Sequence, residues 1–227
     1  MATTSTRGRF ITFEGGEGTG KSTQVRLLAD RLRTAGVYTV VTREPGGSAG
    51  AEIIRHLVLS GVGKALGSDG EALLFAAARD DHVRRVIAPA LAAGAWVLCD
   101  RFFDSTRVYQ GKLGAADIKL IKAMERVTIG NLQPDLTIVL DVPAEVGLAR
   151  AAARRGLAVA DRFEAEDLGF HRKLRDAFRQ ITVDDPLRCM LVAADADIAT
   201  VSDRVWEVLT DKLTVTPQPT NLAATGA

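Results

Sequence analysis

The residues best equipped for chemistry lie in one run near the start of the chain, Gly15-Gly-Glu-Gly-Thr-Gly-Lys21-Ser22-Thr23. Its first eight residues fit G-x-x-x-x-G-K-[ST] without a gap. In such a loop Gly15, Gly16, Gly18 and Gly20, with Glu17 and Thr19 between them, let backbone N–H groups wrap phosphate oxygens. Lys21 adds a mobile positive charge, and the Ser22 hydroxyl is placed to ligate Mg²⁺. The pattern predicts a nucleoside-triphosphate site; the plainer alternative is a glycine turn between strand and helix. Context favours the first, because residues 10–14 are apolar or β-forming and residues 22–35 read as a helix.

The loop alone is shared by switches, motors and kinases. A guanine switch needs an Asn-Lys-x-Asp segment, and the only asparagines are Asn131 and Asn221, neither in that context. A small kinase needs a second phosphate site, a metal-holding carboxylate and a mobile cationic lid. Asp100 ends the apolar run Ala95-Trp-Val-Leu-Cys-Asp100 and suits the carboxylate; Asp141 ends a similar run and competes with it. Asp100 is preferred because Arg101 beside it offers a charge that can grip an acceptor phosphate, the alternative for Arg101 being a surface salt bridge. The lid candidate spans residues 150–163. Arg150 and Arg154 lie one helical turn apart, with Arg155 and Arg162 nearby, and such guanidiniums can neutralise a transferring phosphoryl group. The competing reading is a solvated basic face.

These residues require a scaffold. Strands are expected over residues 38–42, 95–100, 136–141 and 189–194 besides the first. Between them, helical patterns cover residues 49–59, 70–93 (interrupted at Pro89), 105–110, 115–129, 143–155, 164–181 and 196–212. Arg43-Glu-Pro-Gly-Gly47 breaks the second strand, its proline and glycines demanding special backbone geometry. Five strands alternating with helices predict an α/β fold: a parallel sheet covered on both faces, with ligands at the carboxyl ends of its strands. One domain over residues 9–213 is expected, with a flexible N-terminus at 1–8 and a disordered tail at 214–227.

Composition sets the outer limits. The 227 residues, 47% hydrophobic and 25% charged, describe an ordinary globular chain. A formal charge of +1 argues against general attraction to nucleic acid or membrane. Two cysteines make no disulfide framework or zinc site. No apolar run is long enough to span a bilayer and the first residues lack a signal-peptide pattern, so the cytoplasm is expected.

Taken in order, Phe13 to Thr23, Thr42-Arg-Glu-Pro-Gly-Gly47, Leu74-Phe-Ala-Ala-Ala-Arg79, Asp100-Arg101, Ser105-Thr106, Tyr109-Gln110-Gly111 and Asp161-Arg-Phe-Glu164 resemble the bacterial thymidylate kinase family, over about residues 10–213. The resemblance implies a P-loop kinase fold, the reaction ATP + dTMP → ADP + dTDP with Mg²⁺, and commonly a homodimer. It implies that Glu17 lies near the sugar 3′-hydroxyl, that Phe75 stacks on thymine and that Arg79 reaches a base carbonyl. Arg43 and Arg101 would hold the dTMP phosphate, with Pro45 following a cis bond. Ser105, Thr106, Gln110 and Glu164 would line the acceptor site, and Tyr109 would crowd the 2′ position. Family members place the catalytic arginine either in the phosphate loop or in the lid. The variable loop positions here (Gly16, Glu17, Gly18, Thr19) carry no basic residue, so the lid must supply the charge through Arg154 and Arg155, with Arg150 on the ATP side. Two rivals remain: a small kinase for another acceptor, and a non-catalytic NTP-binding switch.

Overall fold

A computed structural model of the protein describes residues 7–156 and 162–218. The five strands form a single parallel sheet: β1 (Phe10–Glu14), β2 (Thr39–Arg43), β3 (Trp96–Asp100), β4 (Leu136–Asp141) and β5 (Cys189–Ala193), in the order β2-β3-β1-β4-β5. β1 at the centre is buried at every position, as expected of a strand covered on both faces. The register pairs Phe13 with Asp100 and Arg43 with Asp100, so the carboxyl ends of β1, β2 and β3 finish level on one rim.

One face is covered by α1 (Lys21–Thr34) and α9 (Ile198–Lys212). Val25, Leu28 and Leu32 of α1 and Val201, Val205 and Leu209 of α9 meet Ile11, Phe13, Leu98 and Ile138 of the sheet. Their spacing puts one apolar stripe on each helix. On the other face Phe10, Val97 and Cys99 meet Ile87, Leu91, Phe102 and Phe103, while α8 (Leu168–Asp184) covers β4 and β5 through Leu174, Phe178 and Ile181. α2 (Ala49–Leu59), α3 (Gly67–His82) and α6 (Ile118–Thr128) form an outer layer beside them.

Two departures from the expected helices bear on the site. The helix predicted over 70–93 is interrupted before Pro89, not at it: a π-helical turn, Val83–Ile87, separates α3 from α4 (Ala88–Ala92). Proline lacks an N–H and its ring crowds the preceding turn, so the widened turn lies just N-terminal to it. The segment predicted as a helix over 105–110 is a short α5 (Phe103–Thr106) running into a second π-helical stretch, Arg107–Leu113. The helix expected from 164 starts at Leu168, because the Asp167 carboxylate accepts the Phe170 N–H as an N-cap.

Residues 214–218, which the sequence assigns to a tail, continue the ordered chain. Gln218 donates through its backbone to Gly36 O, accepts the Tyr38 N–H and donates to Gly94 O, satisfying backbone groups beside β2 and β3. Arg7, placed in the expected flexible N-terminus, pairs with Asp135. Residues 1–6, 157–161 (including Asp161 and part of the lid) and 219–227 lie outside the described residues. Among the described residues no helix is long and apolar enough to cross a membrane.

Candidate active site

The phosphate loop joins β1 to α1 on the shared rim. Gly18, at φ +66°, crosses Gly147 of α7 (Ala144–Arg155) so closely that a Cβ on it would strike the Gly147 carbonyl. Lys21 curls back into the loop, its Nζ donating to Gly16 O at 2.7 Å and Gly15 O at 3.1 Å. Burial and the nearby Arg101 charge pull its ammonium down to about 8 against the partial support of Glu17, Asp100 and Glu14. A bound polyphosphate offers Lys21 stronger acceptors than two carbonyls and favours its charged form.

The Ser22 hydroxyl donates to Asp100 Oδ2 at the end of β3. Asp141, the competing carboxylate, is instead gripped by Arg175 at 2.7 and 2.9 Å and by Arg179 at 2.9 Å, which lower its pKa from the ordinary Asp value. Among the described residues no group of three or more His, Cys, Asp or Glu side chains is placed to hold a metal ion.

Arg101 adopts φ 71°, a left-handed conformation rare for a residue with a side chain. That turn aims its guanidinium back at the loop, donating to Gly15 O at 3.0 Å, Ser105 Oγ at 3.2 Å and Glu17 Oε1 at 2.7 Å. The Tyr109 hydroxyl donates to the same Glu17 oxygen at 2.9 Å, and the Arg101 guanidinium lies over the Tyr109 ring. Burial alone would raise the Glu17 carboxyl, but Arg101, Lys21 and the Tyr109 hydroxyl overcome it and hold it at about 2. Glu14 ends β1 with its carboxylate accepting Phe102 N, Ser105 N and the Ser105 hydroxyl, which fixes the backbone on the far side of Arg101. Its complete burial and the Asp104 charge push it up to about 7.

Across the cleft the loop after β2 carries a cis Glu44–Pro45 bond, as the resemblance implies. Arg43 pairs with Glu52 at 2.8 Å, and the same carboxylate accepts the Gly47 N–H. Arg55 donates to Pro45 O at 2.6 Å. Arg79, 4% exposed, donates Nε to Glu44 at 2.8 Å and Nη2 to Thr106 at 3.1 Å. Phe75, a helical turn before Arg79, is half-buried and faces the cleft. Gln110, on the second π-helical stretch, donates to Glu71.

The lid arginines do not converge as a group of four. Arg154 and Arg155 meet on Glu164, at 2.9 and 2.7 Å. Arg162 pairs with Glu71, and Arg150 turns away to Ala194 O and Ala196 O beyond β5.

One cleft of about 400 Å³ gathers most of these side chains: Glu17, Gly18, Gly20, Lys21, Ser22, Thr23, Arg43, Pro45, Phe75, Arg79, Asp100, Arg101, Ser105, Thr106, Tyr109, Gln110, Arg154 and Glu164. Gly15, Gly16, Thr19, Arg150 and Arg155 are not among its lining. The cleft also takes in Arg26, Glu44, Arg55, Leu59, Phe102 and Phe163, which sequence reasoning did not single out. Arg55 had a readable signal, since it sits in the helix that follows the Pro-Gly-Gly break. Glu44 had one too, as a carboxylate between Arg43 and a proline. Nothing local marks Phe102 or Leu59.

A phosphate loop at the end of the central strand, facing an arginine-lined second site across the same cleft, defines a P-loop phosphotransferase. The family model for thymidylate kinase matches residues 13–205. The thymidylate kinase of Nitrobacter winogradskyi is 69% identical over 92% of this chain and 90% of the relative, and that of Bradyrhizobium diazoefficiens is 66% identical over 94% and 93%. The crystal structure of a thymidylate kinase from Ehrlichia chaffeensis superposes with a TM-score of 0.72 at 34% identity, covering 89% of this chain and 99% of that one. The chain belongs to the thymidylate kinase family.

Proposed function

We propose that this chain transfers the γ-phosphoryl group of ATP to dTMP by direct in-line attack, giving dTDP and ADP. The observation that carries this reading is the single cleft in which Lys21, Arg101 and Glu17 are already bonded to one another through the phosphate loop. Donor and acceptor phosphates bound there meet on one rim, so positioning and charge neutralisation can do the catalytic work.

Lys21 and the backbone N–H groups from Gly15 to Thr23 hold the ATP phosphates, while Arg150, bonded to Ala194 O and Ala196 O, takes no part in holding them. Arg101 and Arg43 hold the acceptor phosphate, already anionic and in no need of a strong general base. Glu17, kept ionised, accepts from the sugar hydroxyl and fixes the acceptor's register, while Tyr109 fills the space a 2′-hydroxyl would need. Phe75 stacks on the base; Arg79, Thr106 and Gln110 offer donors to its edge, with Pro45, Ser105 and Glu164 completing the wall. Arg154 and Arg155 leave Glu164 for the transferring phosphoryl group as charge develops there.

The residues present fit a magnesium ion: the Ser22 hydroxyl and Asp100 carboxylate are adjacent at the loop end, and Mg²⁺ is commonly held by one or two protein oxygens plus phosphates and water. When bound, it would supply charge neutralisation on the β- and γ-phosphates.

A homodimer in the cytoplasm is part of the same reading. Exposed Ile53, Leu57, Leu66, Leu73 and Ile118 lie on α2, the turn after it, α3 and the start of α6, an apolar outer layer suited to a second copy. Sedimentation at micromolar concentration would return a dimer mass. The activity itself is tested by ADP release across a panel of nucleoside monophosphates, with nucleosides as controls. Release that depends on dTMP supports the reading. Equal release without any acceptor, or a stronger response to another monophosphate, would overturn it.

A further inference from the structure

His82 takes no part in the chemistry described above, yet it is wholly buried at the end of α3 with both ring nitrogens engaged. Its Nδ1 lies 3.2 Å from Glu44 Oε1 and its Nε2 lies 2.6 Å from Thr42 Oγ1. A carboxylate only accepts, so the proton on this edge sits at Nδ1. The other Glu44 oxygen accepts from Arg79 Nε at 2.8 Å, and Arg79 Nη2 donates to Thr106 Oγ1 at 3.1 Å.

The five side chains Thr42, His82, Glu44, Arg79 and Thr106 thus form one chain of hydrogen bonds, buried except at its half-buried Thr42 end. It runs from the end of β2, through α3 and the cis-proline loop, to α5. Gly47 closes against it: at φ +85° a Cβ there would lie 2.5 Å from both His82 Nε2 and Thr42 Oγ1. A π-helical turn starts directly after His82 and another directly after Thr106, so both helices that contribute to the chain change their winding just past a member of it. Such turns re-aim side chains and recur at functional sites.

We infer that His82 is a positioning residue for acceptor-base recognition, holding Glu44 so that Glu44 and Thr106 together fix the Arg79 guanidinium in the cleft. The inference rests on the proposed role of Arg79 at the acceptor base. The two bonds to Glu44 and Thr106 use Nε and Nη2 and leave Nη1 for a ligand. A guanidinium carries donors only, so an Arg79 held in one pose meets a ring carbonyl and rejects an exocyclic amino group at the same place. Without His82, Glu44 keeps one strong partner and can swing with it, and the pair loses its fixed direction. The consequence is weaker binding of a 4-oxo pyrimidine nucleotide and weaker rejection of a 4-amino one, with phosphoryl transfer itself little changed.

The test compares His82→Phe, His82→Asn and His82→Gln in the full chain, with Arg79→Lys as a separate arm. Asparagine places an amide near Nδ1 and can still donate to Glu44; glutamine reaches towards Nε2 and Thr42. We expect His82→Phe to raise KM for dTMP about tenfold. Its kcat and its KM for ATP should stay within about twofold, and the ratio of kcat/KM for dTMP over dCMP should fall. His82→Asn should recover most of the KM and the ratio, and His82→Gln should not. Wild-type KM and ratio in His82→Phe, equal rises in both KM values, or glutamine rescuing as well as asparagine would each overturn the inference. If His82→Phe does not fold, the asparagine–glutamine pair decides by the same ratio. Arg79→Lys separates the layers: if it leaves KM for dTMP unchanged, the role of Arg79 itself fails, whereas a raised KM there with silent His82 variants removes His82 alone.

Discussion

The acceptor wall and the lid both carry arginines, but they hold them in opposite ways. On the acceptor wall Arg79 and Glu44 are 4% and 5% exposed, and each guanidinium nitrogen in use has a fixed partner. Arg101 is similarly set by Gly15, Ser105 and Glu17. On the lid side Arg154 is 65% exposed and shares the single carboxylate of Glu164 with Arg155. Charges that must recognise a substrate in its ground state are cheapest to use when their direction is settled during folding. Charges that must meet a phosphoryl group only as it transfers need freedom to arrive, and the exposure of Arg154 leaves it that freedom, although Arg155 is 26% exposed and the carboxylate they share only 7%. The cleft therefore combines a preorganised wall with a loosely held counter-charge.

This contrast can be broken experimentally, and the largest effects should come where the two substrates meet. Lys21→Ala and Arg101→Ala should each lower kcat/KM about a thousandfold or more, measured by coupled ADP release. Near-wild-type turnover in either would remove the shared rim as the catalytic centre. Replacing Arg154 by alanine, with Arg155 left on the buried Glu164 carboxylate, should lower kcat about tenfold while leaving KM for dTMP and the melting temperature near wild type. The corresponding change on the wall, Arg79→Ala, leaves the buried Glu44 carboxylate with only the His82 ring as a partner and should cost about 3 kcal/mol of unfolding free energy as well as raising KM for dTMP. Equal stability losses from the lid and wall variants would erase the distinction drawn above. Phe75→Ala should raise KM for dTMP about tenfold with KM for ATP unchanged, the outcome expected of the proposed stacking of the acceptor base alone on this ring.

The smallest effect is a dependence of stability on pH. Glu14 is raised from 4.5 to about 7 in the folded chain by burial and by Asp104, so the folded state binds more protons than the unfolded state between those values. Its contribution is fully present below the unfolded pKa and is lost as pH rises through about 7. The other charged or titratable groups facing it are Arg101, Lys21 and Cys99. Glu17 has the opposite sign, its pKa lowered from 4.5 to about 2, so its contribution is lost only in more acidic solution. Denaturant titrations at pH 5 and pH 8 should show wild type losing more stability across that interval than Glu14→Gln. An identical slope in the two proteins would assign the dependence to other groups.

Much of the fold was legible in the chain because local patterns and global burial agree. β1 is buried throughout and central, the loop pattern sits between strand and helix, and β2, β3 and β4 each end in a charged residue on the same rim. Both Asp100 and Asp141 end similar strands, and sequence reasoning preferred Asp100 only for the Arg101 beside it; in the structure Asp100 adjoins Ser22, whereas Asp141 is consumed by Arg175 and Arg179 from α8. The two π-helical turns were not readable, because a helical periodicity survives one widened turn. The 164–181 reading missed the Asp167 cap for a similar reason, since several polar residues there could start a helix.

What the sequence determined by itself is the chemistry of the phosphate loop, because that chemistry depends on residue types at fixed local spacing: glycines for backbone approach, a lysine, a hydroxyl. The five strands followed from local patterns and the acceptor-side residues from resemblance, whereas the order of the strands in the sheet came from the structure. What only the tertiary structure decided is which charges are spoken for. Whether Arg79 is aimed by Glu44 and His82, whether Arg150 faces the cleft or β5, and whether a carboxylate such as Glu14 is pushed up while Glu17 is held down depend on groups far apart in the chain. Burial and charge act through space, and a sequence records neither distance.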